Sequence, residues 1–218
     1  GLLEKWYAER KQMQTKLHKA KTQKDIVFWD KRQLVKKINL NSLYGALLNP
    51  YCRFFDMRLG QSTTLCGRTI TKHMASYINK IITGNYEHDG DAIIYGDTDS
   101  CYFSTYDILK EDIDAGNIPW DKETVIELYD NVAEEVNKSF PAFMAQSFNC
   151  TKELGDIIKC EREIVASSGL FITKKRYATL IYDLEGKRVD QDGPGKVKAM
   201  GMDLKRSDTP VIMQDFLN

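Results

Sequence analysis

Apolar residues recur along this chain at two different periods, helical in several long stretches and extended in several short ones. Residues 60–83 carry Ile70, Met74, Tyr77, Ile78 and Ile81 at steps of three and four, which predicts a helix with one buried stripe and a stop at Gly84-Asn85. Residues 121–138 repeat the pattern with Val125, Leu128, Tyr129, Val132 and Val136 inside and acidic residues outside, so these aliphatics are expected in the core. Upstream, residues 2–22 lack Gly and Pro and are rich in helix formers, and residues 31–48 form a second helical stretch closed by Asn49-Pro50. The short polar connection from Thr22 to Asp30 predicts that these two helices pack antiparallel as a helical hairpin.

The extended runs are shorter. Ala92-Ile93-Ile94 and Cys101-Tyr102-Phe103 flank Tyr95-Gly96-Asp97-Thr98-Asp99-Ser100, which predicts a β-hairpin. From Asp156 onward, Ile157-Ile158, Glu163-Ile164-Val165, Tyr177 to Tyr182 and Val197 to Met200 alternate with turn residues, including Leu184-Glu185-Gly186-Lys187 and a Gly193-Pro194-Gly195 loop. Strands in antiparallel succession packed on helices make an α+β fold, here preceded by a two-helix arm.

Two features of this layout carry chemistry. Gln33, Lys37, Asn41, Tyr44 and Leu48 form one continuous face of the second helix, a polar stripe on a largely apolar element that calls for a partner. The hairpin sets two carboxylates one residue apart, and strand residues i and i+2 share a side, so Asp97 and Asp99 can offer hard oxygen ligands to Mg²⁺. The same letters suit a plain Asp/Gly turn, and the residues by themselves leave both open.

The net charge of zero conceals a strong asymmetry. Residues 1–37 hold eleven Lys and Arg against four Asp and Glu, whereas residues 107–140 hold ten acids against three lysines. The basic arm suits an anionic partner and the acidic segment should face away from it. Hydrophobic content of 42% is that of an ordinary soluble protein, with no signal-peptide pattern and no apolar run near the roughly 18 residues of a membrane span, so a cytoplasmic protein is expected. Cys52, Cys66, Cys101, Cys150 and Cys160 are odd in number and lack C-x-x-C spacing, and His18, His73 and His88 are isolated, which points to reduced thiols and no zinc site.

The stretch Lys37-Ile38-Asn39-Leu40-Asn41-Ser42-Leu43-Tyr44-Gly45 together with Tyr95-Gly96-Asp97-Thr98-Asp99-Ser100 resembles family B DNA polymerases, matching the fingers pattern Lys-x-x-x-Asn-Ser-x-Tyr-Gly and the palm hairpin letter for letter. Lys174-Lys175-Arg176-Tyr177 looks like the family's Lys-Lys-Arg-Tyr element, so the resemblance spans nearly the whole chain. Within the family, Glu161-Arg162-Glu163 and Tyr182-Asp183-Leu184-Glu185-Gly186 are most similar to replicative polymerases of tailed bacteriophages, which would place the protein in a host cytoplasm.

The resemblance implies a two-helix fingers hairpin over residues 1–48, an antiparallel-sheet palm packed on helices over 49–205, and the start of a thumb over 206–218. It implies template-directed transfer of a nucleotide from a dNTP to a primer 3′-hydroxyl, with two Mg²⁺ ions for which Mn²⁺ can substitute. Asp99 then resembles the ligand bridging both ions, Asp97 its neighbouring carboxylate and Glu163 a further acid. Lys37 resembles the lysine that contacts the triphosphate and protonates departing pyrophosphate, Arg10 and Asn41 its companion phosphate contacts, and Tyr44 and Gly45 the lining of the nascent base pair. Lys174, Lys175, Arg176 and Tyr177 would meet primer and template.

The chain departs from the family one turn after Arg10, where Gln14 replaces a basic residue and Lys16 lies off the face. The family's Asp-Ser-Leu-Tyr-Pro motif, which carries the other essential metal ligand, has no counterpart before Lys37. The expectation is therefore a piece of a polymerase that is incompetent alone. Its partners would be primer–template DNA, a dNTP and the missing N-terminal and thumb portions, with a sliding clamp as a further candidate. Two alternatives remain, a noncatalytic DNA-binding subunit of a split polymerase and an Asp-x-Asp glycosyltransferase. The latter leaves the fingers motif and the basic arm unexplained.

Overall fold

The computed structural model describes residues 1–202 and 209–213, and the chain divides into two units, Gly1–Gly67 and Arg68–Asn218. The division falls inside a helix, past the change of domain that the sequence places at residue 48. Most of the expected thumb segment, 206–218, lies outside the described residues.

In the first unit, α1 (Leu2–Lys19) and α2 (Gln23–Leu47) are joined only by Ala20, Lys21 and Thr22. α2 starts well before residue 31 because the Thr22 hydroxyl accepts the Asp25 N–H at 3.1 Å, an N-cap that draws Ile26-Val27-Phe28-Trp29 into the helix. The two helices are antiparallel as expected. Lys36 lies 5.6 Å from the Trp6 ring and pairs with Glu9 at 2.5 Å, while Lys16 lies 4.6 Å from the Trp29 ring. Neither helix contains a fully buried residue, since one pair of helices encloses no core. The unit ends in the first turns of α3 (Met57–Thr83).

The second unit begins on α3 and continues through β1 (Ile93–Asp97), β2 (Ser100–Phe103), α4 (Tyr106–Asp114), α5 (Lys122–Phe148) and α6 (Lys152–Gly155). β3 (Ile164–Thr173), β4 (Arg176–Leu184), β5 (Lys187–Arg188) and β6 (Lys196–Met200) complete it, β4 pairing antiparallel with each of the other three. Mixed helices and antiparallel strands are the α+β class the pattern predicts. The core forms where Ile78 of α3 meets Val132, Val136 and Phe140 of α5, with Ile93, Cys101 and Phe103 of the hairpin packed against them. The apolar stripe of α3 reaches this core through Ile82, whereas Ile81 is exposed.

α5 runs ten residues past its expected end despite Pro141, because Phe140 and Met144 are buried on the same face and their packing outweighs one lost backbone bond. Asn149 then ends it in the left-handed conformation at φ 51°, its N–H donating to the Met144 carbonyl. Ile157-Ile158 forms no strand: Ile157 is exposed and Ile158 packs on the core singly. Arg162 joins the sheet to the helices, pairing with Asp130 of α5 and with buried Asp183 of β4, each at 2.5 Å. The two stretches that carry the phage-like resemblance are thus in contact. No helix among the described residues is long and apolar enough to cross a membrane.

His73 on α3 is buried, stacked on Phe143 with centroids 3.8 Å apart, and hydrogen bonded at both nitrogens. The Ser139 hydroxyl already donates to the Val136 carbonyl, so Nε2–H must donate to Ser139 at 2.9 Å and Nδ1 accepts from Tyr86 at 2.7 Å. Burial holds this imidazole below its usual 6.5. The unfolded chain therefore binds the proton more readily, so the His73 contribution is fully present above about pH 6.5 and declines as pH falls from there toward the lower folded value. We predict that the urea midpoint falls between pH 7.5 and 5.5, and that His73→Phe reduces this pH dependence. A wild-type-like slope in His73→Phe would remove His73 as its source.

Candidate active site

The β1–β2 hairpin closes at the Asp97↔Ser100 pair, which leaves Thr98 and Asp99 as a two-residue turn. Asp99 thus projects from the turn itself and not from a strand, so i, i+2 alternation does not set its direction. Thr98 takes φ 49°, a left-handed value that is unfavourable for a β-branched residue. Its hydroxyl donates to Asp97 Oδ1 at 3.1 Å, and the Ser100 hydroxyl donates to the Asp97 carbonyl at 3.2 Å. The Asp97 side chain is half-buried; Asp99 is exposed and makes no side-chain bond among the described residues.

A second tip reaches the same place. Thr173↔Arg176 closes the β3–β4 hairpin, so Lys174 and Lys175 form its turn, with Lys175 at φ 63°. The Lys175 N–H donates to the Tyr95 hydroxyl at 2.7 Å across eighty residues of chain, and its ammonium stands 3.5 Å from Asp97 Oδ2. Between the hairpins lie four rings, Tyr95, Tyr102, Phe171 and Tyr177, with centroids 5.2 to 6.3 Å apart. This cluster is a stiff spacer, because aromatic rings bury large areas with few rotatable bonds. Burial, with the Tyr177 hydroxyl beside it, pushes the Tyr102 phenol well above its usual 10, so it stays protonated and donates to Tyr177 at 3.4 Å. Tyr177 is itself buried in the cluster, while Lys174 and Arg176 are exposed.

The donor set suits a small hard cation. Asp97 already holds an internal cation, the Lys175 ammonium, and Asp99 offers an unengaged carboxylate beside it. Mg²⁺ commonly binds through one or two carboxylates, completing its shell with water and phosphate oxygens. Among the described residues no three His, Cys, Asp or Glu side chains gather as a metal-binding group. Glu163 in particular is paired with Lys198 of β6 at 2.8 Å and is not gathered with Asp97 and Asp99 into such a group.

In the first unit the polar stripe of α2 is reached from α1 at one point. Arg10 Nε donates to Gln33 Oε1 at 3.4 Å, and Gln33 donates to Asp30 at 3.0 Å. Gln33 thus aims Arg10 toward the face that carries Lys37 one turn later. Lys37 and Asn41 are exposed and make no side-chain bond among the described residues. The Tyr44 hydroxyl lies 2.6 Å from the Thr64 hydroxyl and donates to the Gly60 carbonyl at 3.3 Å, which anchors the ring's position. Open space lies over Gly45, where a Cβ would touch nothing, so no packing among the described residues explains a glycine that costs a helix about 1 kcal/mol relative to alanine. Lys16, beyond Gln14 on α1, lies 4.6 Å from the Trp29 ring. Tyr95 is the positioning residue that sequence reasoning missed; it heads the Tyr-Gly-Asp motif, but its target lies on the other hairpin.

The family model for DNA polymerase family B matches residues 1–218, the full chain. Among curated proteins, the DNA-directed DNA polymerase of Escherichia phage RB69 is 29% identical over 200 residues, covering 85% of this chain and 21% of the relative. That of Enterobacteria phage T4 is 28% identical over 197 residues with the same coverage, 85% and 21%. The DNA polymerase alpha catalytic subunit of Mus musculus is 28% identical over 217 residues, 99% of this chain and 12% of the relative. The chain spans about a fifth of the length of the phage relatives it matches.

If Asp97 and Asp99 are the cation ligands, paramagnetic Mn²⁺ will broaden the amide signals of Thr98, Asp99 and Ser100 with an affinity of about millimolar, the class of a sparsely liganded site. Asp99→Ala should abolish the effect. Lys175→Met, which removes the competing charge from Asp97, should tighten Mn²⁺ by roughly fivefold. Broadening unchanged in Asp99→Ala would refute the assignment.

Proposed function

Since the chain belongs to DNA polymerase family B, we propose that it is the fingers and palm portion of a DNA-directed DNA polymerase, transferring a nucleotide from a dNTP to a primer 3′-hydroxyl under direction of a template. Residues 1–48 serve as fingers and 49–205 as palm. The observation that carries this reading is the meeting of Asp97 with Lys175, which brings the carboxylate hairpin and the Lys-Lys-Arg-Tyr turn to one place. A reaction that joins a metal-bound triphosphate to a DNA end needs acid and basic groups side by side there.

When bound, two Mg²⁺ ions lower the barrier by activating the 3′-hydroxyl and stabilising charge on the leaving group. Asp99, with Asp97 beside it, would hold these cations from the turn. The 3′-hydroxyl gives up its proton to water, its oxygen attacks the α-phosphorus, the bond to the bridging oxygen breaks, and that bond's electron pair leaves on pyrophosphate. Lys37 contacts the triphosphate and supplies a proton to that leaving group, while Arg10 and Asn41 bind the remaining phosphate oxygens. Tyr44, tethered through its hydroxyl, presents its ring to the nascent pair, and bare Gly45 lets the pair approach the helix. Lys174, Lys175 and Arg176 neutralise backbone phosphates near the primer end, with Tyr177 fixing the strand that carries them. Glu163, held by Lys198, contributes its field more than coordination. Partners are primer–template DNA, a dNTP and the remaining portions of such a polymerase, with a sliding clamp as an optional addition.

These 218 residues alone are expected to show no primer extension above background, since among the described residues no third ligand joins the two aspartates to hold the cation pair. Robust extension by the pure chain would contradict this. In a polymerase completed with the portions its relatives carry, Lys37→Ala should reduce the single-turnover rate by about 10²–10³, the usual cost of one transition-state charge partner. Gln14→Ala should do far less. A rate within about twofold of wild type for Lys37→Ala would remove the leaving-group role.

A further inference from the structure

The turn that separates the two aspartates is held from outside the hairpin. Thr71, on α3, donates its hydroxyl to the Thr98 carbonyl at 2.9 Å. That carbonyl belongs to the peptide joining Thr98 to Asp99, the central peptide of the two-residue turn. Such turns come in two forms, one with positive φ at both central residues and one with positive φ at the first alone, and the two differ by a flip of this peptide. Here only Thr98 is positive, at 49°. Glycine is the residue that favours this position, and a β-branched side chain disfavours it, so the turn sequence does not select the form it adopts.

α3 is a firm support for such a contact. Its buried Asn79 accepts the Ala92 N–H at 3.1 Å and donates to the Asn85 carbonyl at 2.9 Å, which fixes the base of the hairpin to the same helix that holds its tip. We propose that Thr71 is a positioning residue for metal binding, selecting the peptide orientation that aims Asp99 to the same side as Asp97. A flipped peptide breaks the Thr71 bond, turns the backbone at Asp99, and separates the carboxylates. Thr98 completes the device by bonding Asp97 with its hydroxyl, so one residue links the α3 contact to both acids. The inference rests on the assignment of Asp97 and Asp99 as cation ligands, and its test separates the two.

The test compares wild type with Thr71→Val, which keeps the shape and loses the donor, and with Thr71→Ser, which keeps the donor. Two readouts are taken by NMR, the HN–Hα coupling constants of Thr98 and Asp99 without metal, and the affinity for Mn²⁺ from broadening of the turn amides. Thr71→Val should shift both couplings toward an average of two turn forms and weaken Mn²⁺ by roughly fivefold, the value of one neutral hydrogen bond, with cooperative unfolding retained. Thr71→Ser should restore both. Couplings and Mn²⁺ affinity in Thr71→Val equal to wild type would overturn the proposal. Absence of Mn²⁺ broadening in wild type would refute the cation assignment, and with it the metal-positioning role, whatever the couplings show. Should Thr71→Val fail to fold, Thr71→Ala and Thr71→Ser decide the same comparison.

Discussion

A two-stranded hairpin of five and four residues cannot hold its own shape in water, and the whole site depends on how this one is supported. Ile93, Cys101 and Phe103 turn one side of it into the core made by α3 and α5, where Val136 and Phe140 are almost completely buried. That packing explains why α5 is so long and why it continues through Pro141. The hairpin base is then fixed to α3 by Asn79 and its tip by Thr71. Apolar burial decides that the hairpin exists, and a few hydrogen bonds decide which way its acids face.

The second constraint is electrostatic. Asp97 lies half-buried, and Lys175 meets its charge from the opposite hairpin. Lys175 can reach because four aromatic rings set the spacing of the two hairpins and because Arg162 pins β4 to α5 through Asp183 and Asp130. The acids of residues 107–140 lie on α4, on α5 and at its Asp121 cap, while the basic residues of 1–37 lie on α1, at Lys21 and on α2 as far as Lys37. Charge is sorted by element, so a neutral chain still offers distinct basic segments to a polyanion.

Helices with a strict apolar stripe were legible from the sequence, as were the carboxylate hairpin and the antiparallel helical pair. The first two turns of α2 were not, because residues 22–30 read as the connection between the helices, and it is the Thr22 cap that draws Ile26-Val27-Phe28-Trp29 into the helix. α4 escaped because a nine-residue acidic helix shows no buried stripe, and none of its residues is fully buried. β3 was foreseen only at its start; Ser167-Ser168-Gly169 interrupts its apolar run, Leu170 and Ile172 beyond are exposed, and the strand exists through pairing with β4. In the site, the acids and the basic turn were legible as letters, but their meeting was not. Tyr95 holding the Lys175 backbone and Lys198 engaging Glu163 join positions far apart in the chain, and no local pattern encodes such pairings.

The claim at the centre of this account is that the Thr98–Asp99 turn presents the metal carboxylate of nucleotidyl transfer. It is tested most directly by single-turnover primer extension in a polymerase completed with the portions its relatives carry, comparing wild type with Asp99→Asn. This near-isosteric change keeps the turn and removes one negative charge. The account predicts a rate lower by about 10³ or more, since loss of a charge that holds the catalytic cations removes transition-state stabilisation throughout the step. Incorporation by Asp99→Asn within about tenfold of wild type, at equal Mg²⁺ and with DNA binding intact, would contradict it.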